Sequence, residues 1–308
     1  MVIVCTQPAI DYYGWQVDIF LHSIGNLNIG YENVHVLFSN VQTNSPTCLE
    51  LSKKYPAVNF VYYDDDRDYK SYIPSIKQHL MYKHFLANPW LENEIIFHVD
   101  SDVAFTKPIN FNNLVKDDIW YTSDTISYLG YDYILSKGRN VLDTMLSIAD
   151  IDEELVKSNQ NNSGGAQYLF KNVDTNFWLD VVNLSHELFS KITELNKQEV
   201  KSHNQVNTKT PYVPLQIWTA EMWAILWTAW KRGKQTKVVK ELDFTWATDP
   251  IEKWYTNSIF HNAGVVNNTS GMFYKGDYIN KSPKDINLVL DQKKASYNYY
   301  EMLKKALW

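Results

Sequence analysis

The sequence predicts an α/β fold, a central and mostly parallel sheet flanked by helices, and three observations point to it. Short apolar runs suited to strands alternate with longer stretches of helical period between Val2 and Val99, the succession that builds a parallel sheet. The segment from Glu94 to Phe105 reads Glu-Ile-Ile-Phe-His-Val-Asp-Ser-Asp-Val-Ala-Phe. Its nearly unbroken apolar run of Ile95, Ile96, Phe97 and Val99 suits a strand covered on both faces, hence one in mid-sheet. No internal repeat or low-complexity linker divides the 308 residues, so they read as one domain over 1–280 with a helical extension over 281–308 packed on it.

Val2 to Thr6 is expected to be a buried first strand, closed by a loop at Gln7-Pro8. Trp15, Ile19, Phe20 and Ile24 recur at helical spacing, so Tyr12 to Ile24 is a predicted helix packed on the sheet. Val34 to Phe38 follows as a second strand. Ser45-Pro46 opens a helix, serine as N-cap and proline in the first turn, that ends near Tyr55-Pro56. Val58 to Tyr63 is a third strand running into Asp64-Asp65-Asp66-Arg67-Asp68, which completes the front half of a doubly wound sheet. A helix from Pro74 or Ser75 to Ala87 precedes the central strand.

Beyond it, Lys107-Pro108-Ile109 forms a loop, Ile119 to Thr122 a strand, and Asn140 to Ala149 a helix that Glu153 to Ser158 continues after a break. Ser163-Gly164-Gly165 passes from a glycine turn into a strand through Phe170. Phe177 to Leu195 is an amphipathic helix, and Asn196 to Pro214 a polar loop. Trp218-Thr219-Ala220-Glu221-Met222-Trp223 opens the most apolar helix of the chain, with Thr219 as candidate N-cap and a stop at Gly233. Val238 to Phe244 and Ser258 to Phe260 are predicted strands, and Ser296 to Trp308 a closing helix.

Composition narrows the partners. A net charge of -6 offers no general attraction to nucleic acid or to anionic lipid, so any phosphate must be met by a local site. Cys5 and Cys48 are expected to be buried thiols rather than a disulfide framework, and no apolar run is long enough to span a membrane, which together imply a cytoplasmic setting. Aromatic residues make up 15% of the chain, with 11 Trp and 21 Tyr, and serve equally as bulky core or as flat faces for sugars and bases.

The acidic pair Asp100/Asp102 is the sharpest chemical signal. Asp-x-Asp also occurs at Asp64/Asp66, Asp66/Asp68 and Asp150/Asp152, but only at Asp100 does a buried-strand run lead directly into the carboxylates. Ligands of open α/β sheets gather beyond the carboxyl ends of central strands. Two hard oxygen donors there can hold Mn²⁺ or Mg²⁺ and leave positions open for nucleotide phosphates. His261, delivered by the strand at Phe260, is the candidate third ligand. Lys77 is placed to meet a diphosphate as a point charge, Asp64 to hydrogen-bond a base or ribose, and Gly164 and Gly165 to let backbone N–H groups approach a sugar or phosphate. Glu221 has two readings, an acid favoured by the helix dipole and a carboxylate facing the mouth of a site.

Taken in order from Val2 to Gly264, these pieces resemble a GT-A fold, metal-dependent glycosyltransferase: the first strand and loop to Gln7, the helix with Lys77, Val99-Asp100-Ser101-Asp102, Ser163-Gly164-Gly165, Trp218-Thr219-Ala220-Glu221-Met222, and Phe260-His261. Through the Asp-x-Asp, Gly-Gly and Trp-x-x-Glu-Met blocks the chain is similar to the hydroxyproline O-arabinosyltransferase and peptidyl-serine galactosyltransferase group, whose members look membrane-anchored whereas no anchor is expected here. The resemblance implies a nucleotide-sugar donor, most often UDP-linked, bound through Mn²⁺. Asp102, with Asp100 directly or through water and ribose, would hold metal and donor, and His261 would close the coordination. Thr6, Gln7 and Ser101 would belong to the donor contacts, Lys77 would meet the diphosphate, and Gly164 and Gly165 would line the transferred sugar. The acceptor would be a glycan or protein hydroxyl. Glu221 would be the catalytic carboxylate, a base if the reaction inverts and an orienting group if it retains, and the narrower likeness favours retention.

Two other functions fit the same residues. One is a carbohydrate- or nucleotide-sugar-binding protein that has lost catalysis. The other is a nucleotidyltransferase, which normally grips a triphosphate with a glycine-rich basic loop after the first strand, where this chain has Thr6-Gln7-Pro8-Ala9.

Overall fold

The computed structural model describes residues 1–206 and 211–307, and the chain divides into two compact units. The first comprises Met1–Asp65, Glu94–Asp117 and Val239–Trp308, the second Asp66–Asn93 and Asp118–Val238. In chain order the elements begin β1 (Val2–Pro8), α1 (Asp11–Ile24), β2 (Val34–Asn40), α2 (Pro46–Lys54), β3 (Asn59–Asp64), α3 (Ile76–Ala87), β4 (Ile95–Val99) and β5 (Val103–Phe105). They continue with β6 (Trp120–Ser123), α4 (Ile126–Leu129), α5 (Tyr131–Leu135), α6 (Arg139–Ala149), α7 (Glu153–Ser158), β7 (Gly165–Lys171), α8 (Thr175–Val206) and α9 (Ala220–Lys231). The last are β8 (Thr236–Val238), β9 (Phe244–Trp246), α10 (Glu252–Thr256), β10 (Ile259–His261) and α11 (Ala295–Leu307).

In the first unit β1 pairs in parallel with β2 and with β4, and β2 with β3, giving the order β3-β2-β1-β4. This is the α/β architecture expected of the sequence, and the apolar run at Ile95 lies in a parallel strand whose Ile96, Phe97 and Val99 have no exposure. Cys5 stands opposite Val99, so the remainder of β1, from Thr6 to Pro8, lies at the same end of the sheet as the residues that follow β4. A separate three-stranded sheet sets β10 antiparallel to β5 and parallel to β9. Its Ala104 and Phe260 share one core with Trp15 and Ile19 of α1, Phe273, and Ala295, Tyr299, Tyr300 and Leu303 of α11. The C-terminal helix thus contributes large side chains to the interior of this unit.

The second unit places β6 antiparallel to β7 and parallel to β8. Trp178, Trp223 and Trp227 have no exposure, so here as around Trp15 much of the aromatic excess is core. Glu92 closes the N-terminus of α8, accepting from the Thr175 N–H at 2.7 Å and from its hydroxyl at 2.6 Å.

Several expectations are corrected. The helix begun near Phe177 does not stop at Leu195 but continues to Val206, because 196–206 is rich in Lys, Gln and Glu and has neither Gly nor Pro to end it. The polar loop expected over 196–214 is therefore helical in its first part, and its residues 207–210 lie outside the described residues. The strand expected from Val238 to Phe244 is two short strands separated by a 3₁₀ turn, Lys240–Leu242, that buries Leu242. Val103–Phe105, not foreseen as a strand, is one through its antiparallel pairing with β10. Thr219 does not cap α9, since its hydroxyl donates to the Gln216 carbonyl at 2.9 Å. The Tyr72 hydroxyl instead accepts the Glu221 N–H at 3.0 Å. Ser45 does cap α2, accepting from the Thr47 N–H at 3.1 Å, and Cys5 and Cys48 are buried thiols in no disulfide. Among the described residues no helix is long and apolar enough to cross a membrane.

His35, on β2 between β1 and β3, is 5% exposed, and burial lowers its pKa to about 4. An unfolded histidine titrates near 6.5, so below that pH the unfolded chain takes up a proton that the folded chain refuses. Stability present above pH 6.5 is thus lost as pH falls towards 4, at up to about 1.4 kcal/mol per pH unit. Urea unfolding of His35→Gln is expected to show a shallower acid loss between pH 6.5 and 4.5 than the unmodified protein; parallel curves would contradict a neutral buried imidazole.

Candidate active site

The acidic turn is built by the register of two strands in the first unit. The chain leaves β4 at Val99, turns through Asp100-Ser101-Asp102, and enters β5 at Val103. Across the antiparallel pair Val103 faces His261, and the Asn262 N–H donates to the Asp102 carbonyl at 2.9 Å. This pairing carries the imidazole to the carboxylates. His261 Nε2 lies 3.1 Å from Asp102 Oδ1 and 4.0 Å from Asp100 Oδ2, and one donor atom from each of Asp100, Asp102 and His261 falls within 4.8 Å of the others. The imidazole is packed by rings of β9, stacking parallel to Trp246 at 6.1 Å and lying 5.3 Å from Phe244.

Two carboxylates and one imidazole form a donor set that fits Mn²⁺ or Mg²⁺, with the acid oxygens on a turn beyond a sheet end. Sequence reasoning missed the fourth member of this group. The Lys275 ammonium forms an ion pair with Asp102 Oδ2. Burial pushes the Asp102 carboxyl up, but Lys275 and His261 outweigh it and hold the group well below the usual carboxylate range. Burial likewise opposes the Lys275 charge, and Asp102 more than offsets this to raise its pKa. Lys275 lies in Phe273-Tyr274-Lys275, a segment with no recognisable spacing to either acid, and only the folded chain brings it across 173 positions of sequence to Asp102.

Thr6 and Gln7, at the carboxyl end of β1, are buried. The Thr6 hydroxyl lies 3.2 Å from His98 Nε2, and the Gln7 amide donates to the Leu37 carbonyl at 3.3 Å. Ser101 is buried within the turn. Asp64 ends β3, three strands from β4 and so about 14 Å away at ~4.8 Å per strand, and it accepts from Asn40 at 2.7 Å.

The other predicted site residues belong to the second unit. Lys77 of α3 pairs with Glu221 Oε1 of α9 at 3.1 Å, and the Tyr72 hydroxyl donates to Oε2. Both oxygens of Glu221 are thus engaged, and the residue is only 4% exposed. Burial first, and the Glu221 charge second, push the Tyr72 phenol well above its usual pKa, so it stays a donor. Gly164 and Gly165 are buried. A Cβ on Gly164 would sit 2.0 Å from Thr122 Oγ1 and 2.5 Å from the Ser123 carbonyl, and one on Gly165 2.4 Å from Met222 Cε. The packing of β6 and α9 against this strand entry therefore accounts for both glycines without a ligand. Ala166, next in line, takes a left-handed φ of 66° where the β6–β7 register shifts.

No protein-family model matches the chain, and no curated protein does. Among solved structures it is similar to WbbM, a bifunctional glycosyltransferase, with 10% identity and a TM-score of 0.51 over 98% of this chain and 49% of that one. The chain thus spans about half the length of WbbM. The galactosyltransferase LgtC, solved with donor and acceptor sugar analogues, is 9% identical with a TM-score of 0.46, covering 100% of this chain and 96% of that one. At such identities the WbbM likeness is one of fold, in agreement with the GT-A fold expected of the sequence.

Removing the cation from Glu221 tests the second cluster. Lys77→Met should lower the unfolding free energy by about 3 kcal/mol, the usual cost of stranding a buried charge, and Lys77→Met/Glu221→Gln should recover most of it. Equal losses in the single and double variants, measured by urea titration, would mean that the pair is not coupled.

Proposed function

We propose that the protein is a glycosyltransferase that moves a sugar from a nucleotide-diphosphate sugar, UDP-linked, to a hydroxyl of a glycan or protein acceptor with retention at the anomeric carbon. The observation that carries this reading is the convergence of Asp100, Asp102 and His261 on one small volume at the carboxyl end of a parallel strand. Those three residues would hold Mn²⁺, or Mg²⁺, which when bound supplies charge stabilisation for the departing diphosphate. Thr6, Gln7 and Ser101, at the same end of the sheet, are the residues of this chain assigned to the donor.

The transfer breaks the bond between the anomeric carbon and the diphosphate oxygen and forms one between that carbon and the acceptor oxygen, while the acceptor proton passes to the leaving diphosphate. No protein base is needed on this route. The state of Glu221 supports it: a carboxylate already accepting from Lys77 and Tyr72 and almost wholly buried is poorly suited to deprotonate an acceptor. We assign it the role of orienting the groups around it. Lys77, paired with Glu221, shares that role, although the sequence pointed to a diphosphate.

The test is incubation with a panel of UDP-sugars and Mn²⁺, following UDP release with and without acceptor glycosides. Asp102→Asn is expected to lower turnover by about 10²-fold or more, the scale of losing a preorganised electrostatic group, with an unchanged far-ultraviolet circular dichroism spectrum. Turnover retained in that variant would remove the acidic turn from the chemistry.

A further inference from the structure

We propose that Lys275 is an internal counter-cation that occupies the acidic turn in the metal-free protein and must leave Asp102 before a divalent ion can bind there. The inference rests on reading Asp100, Asp102 and His261 as the ligand set. Both oxygens of Asp102 are engaged, Oδ2 by the Lys275 ammonium and Oδ1 by His261 Nε2 at 3.1 Å. An ion approaching the Asp102 carboxylate therefore meets a positive charge already in hydrogen-bond contact with one of the oxygens it needs. Two cations on one carboxylate in a poorly hydrated turn repel strongly, so the ammonium and the ion compete for the position.

The placement of Lys275 is built into the fold. Phe273 has no exposure, its N–H donates to Ser296 Oγ at 2.8 Å, and its ring stacks on Tyr278 at 5.4 Å. The Tyr278 carbonyl accepts from Trp15 Nε1 at 3.1 Å. The backbone on either side of Lys275 is thus tied to α1 and α11, and the lysine is delivered to the acids from a fixed base. Its side chain is 24% exposed, which leaves the four-methylene stem a path by which the ammonium can swing towards water. A rigid mount with a flexible arm suits a displaceable plug. Asp100, the other acid of the turn, has a side chain 23% exposed and lies 4.0 Å from His261 Nε2. The free protein should therefore bind Mn²⁺ weakly, with Asp102 masked.

The experiment titrates the whole protein with Mn²⁺ alone and reads the signal of unbound hexaaqua ion by electron paramagnetic resonance. Lys275→Met is expected to bind Mn²⁺ at least about tenfold more tightly than the unmodified protein, and Lys275→Arg, which keeps the charge, to remain weak. Thermal melts give a second readout: without metal Lys275→Met should melt lower than the unmodified protein, and saturating Mn²⁺ should raise its melting temperature by the larger increment. Equal Mn²⁺ affinity in the three proteins, or weaker binding in Lys275→Met with its fold intact by circular dichroism, would overturn the displacement while leaving the ligand set in place. Absence of Mn²⁺ binding in all three would overturn the ligand set as well.

Discussion

Asp102 imposes the constraint on which the first unit turns. An ionised carboxylate buried in a turn loses the hydration that stabilises it in water, and it persists only if the fold supplies opposite charge and hydrogen-bond donors. The chain meets that demand from two distant places. β10 runs antiparallel to β5 in the register that sets His261 beside Asp102, and the segment after Phe273 brings Lys275 to the second oxygen. Both devices depend on the aromatic core shared by α1, β10 and α11, so packing far from the acids fixes their electrostatics.

The second unit solves the same problem differently. Glu221, like Asp102, is buried, yet its compensation comes from Lys77 on one helix and from the phenol of Tyr72, which also receives the Glu221 N–H in the first turn of α9. One hydroxyl thus serves a helix terminus and a charge together. The contrast is chemical. Asp102 has a companion acid and an imidazole within 4.8 Å, the pattern of a cation site, while the Glu221 cluster is a closed pair with a neutral donor.

Much of the first unit was legible because its signals are local. The run Ile95–Val99, the helical spacing of Trp15, Ile19 and Ile24, and the Ser45-Pro46 cap each lie within a few residues, and each corresponds to an observed element. His261 was legible by the same logic, as a polar residue ending an apolar strand. Lys275 was not, because nothing in Phe273-Tyr274-Lys275 records that tertiary packing will fold it onto Asp102. Lys77 and Glu221 were both singled out, but their pairing with each other is a helix–helix contact that one-dimensional spacing does not encode. The glycines at 164 and 165 suggested a close ligand, and the close neighbours proved to be β6 and α9. The helix from Thr175 to Val206 outruns its expected end because Lys, Gln and Glu, polar as they are, are good helix formers.

The separation of 173 positions between Asp102 and Lys275 has a bearing on biosynthesis. A growing chain exposes the two acids long before the ribosome has made the imidazole or the ammonium that will face them, and β5 has no partner in its own sheet until β10 appears. During that interval the acidic turn is a hydrated, uncompensated pair of negative charges, and its burial must wait for residues 259–275. Compensation of the acids therefore follows synthesis of the stretch from β10 to Lys275, and a chain truncated before that stretch would carry the carboxylates without the imidazole and the ammonium that face them.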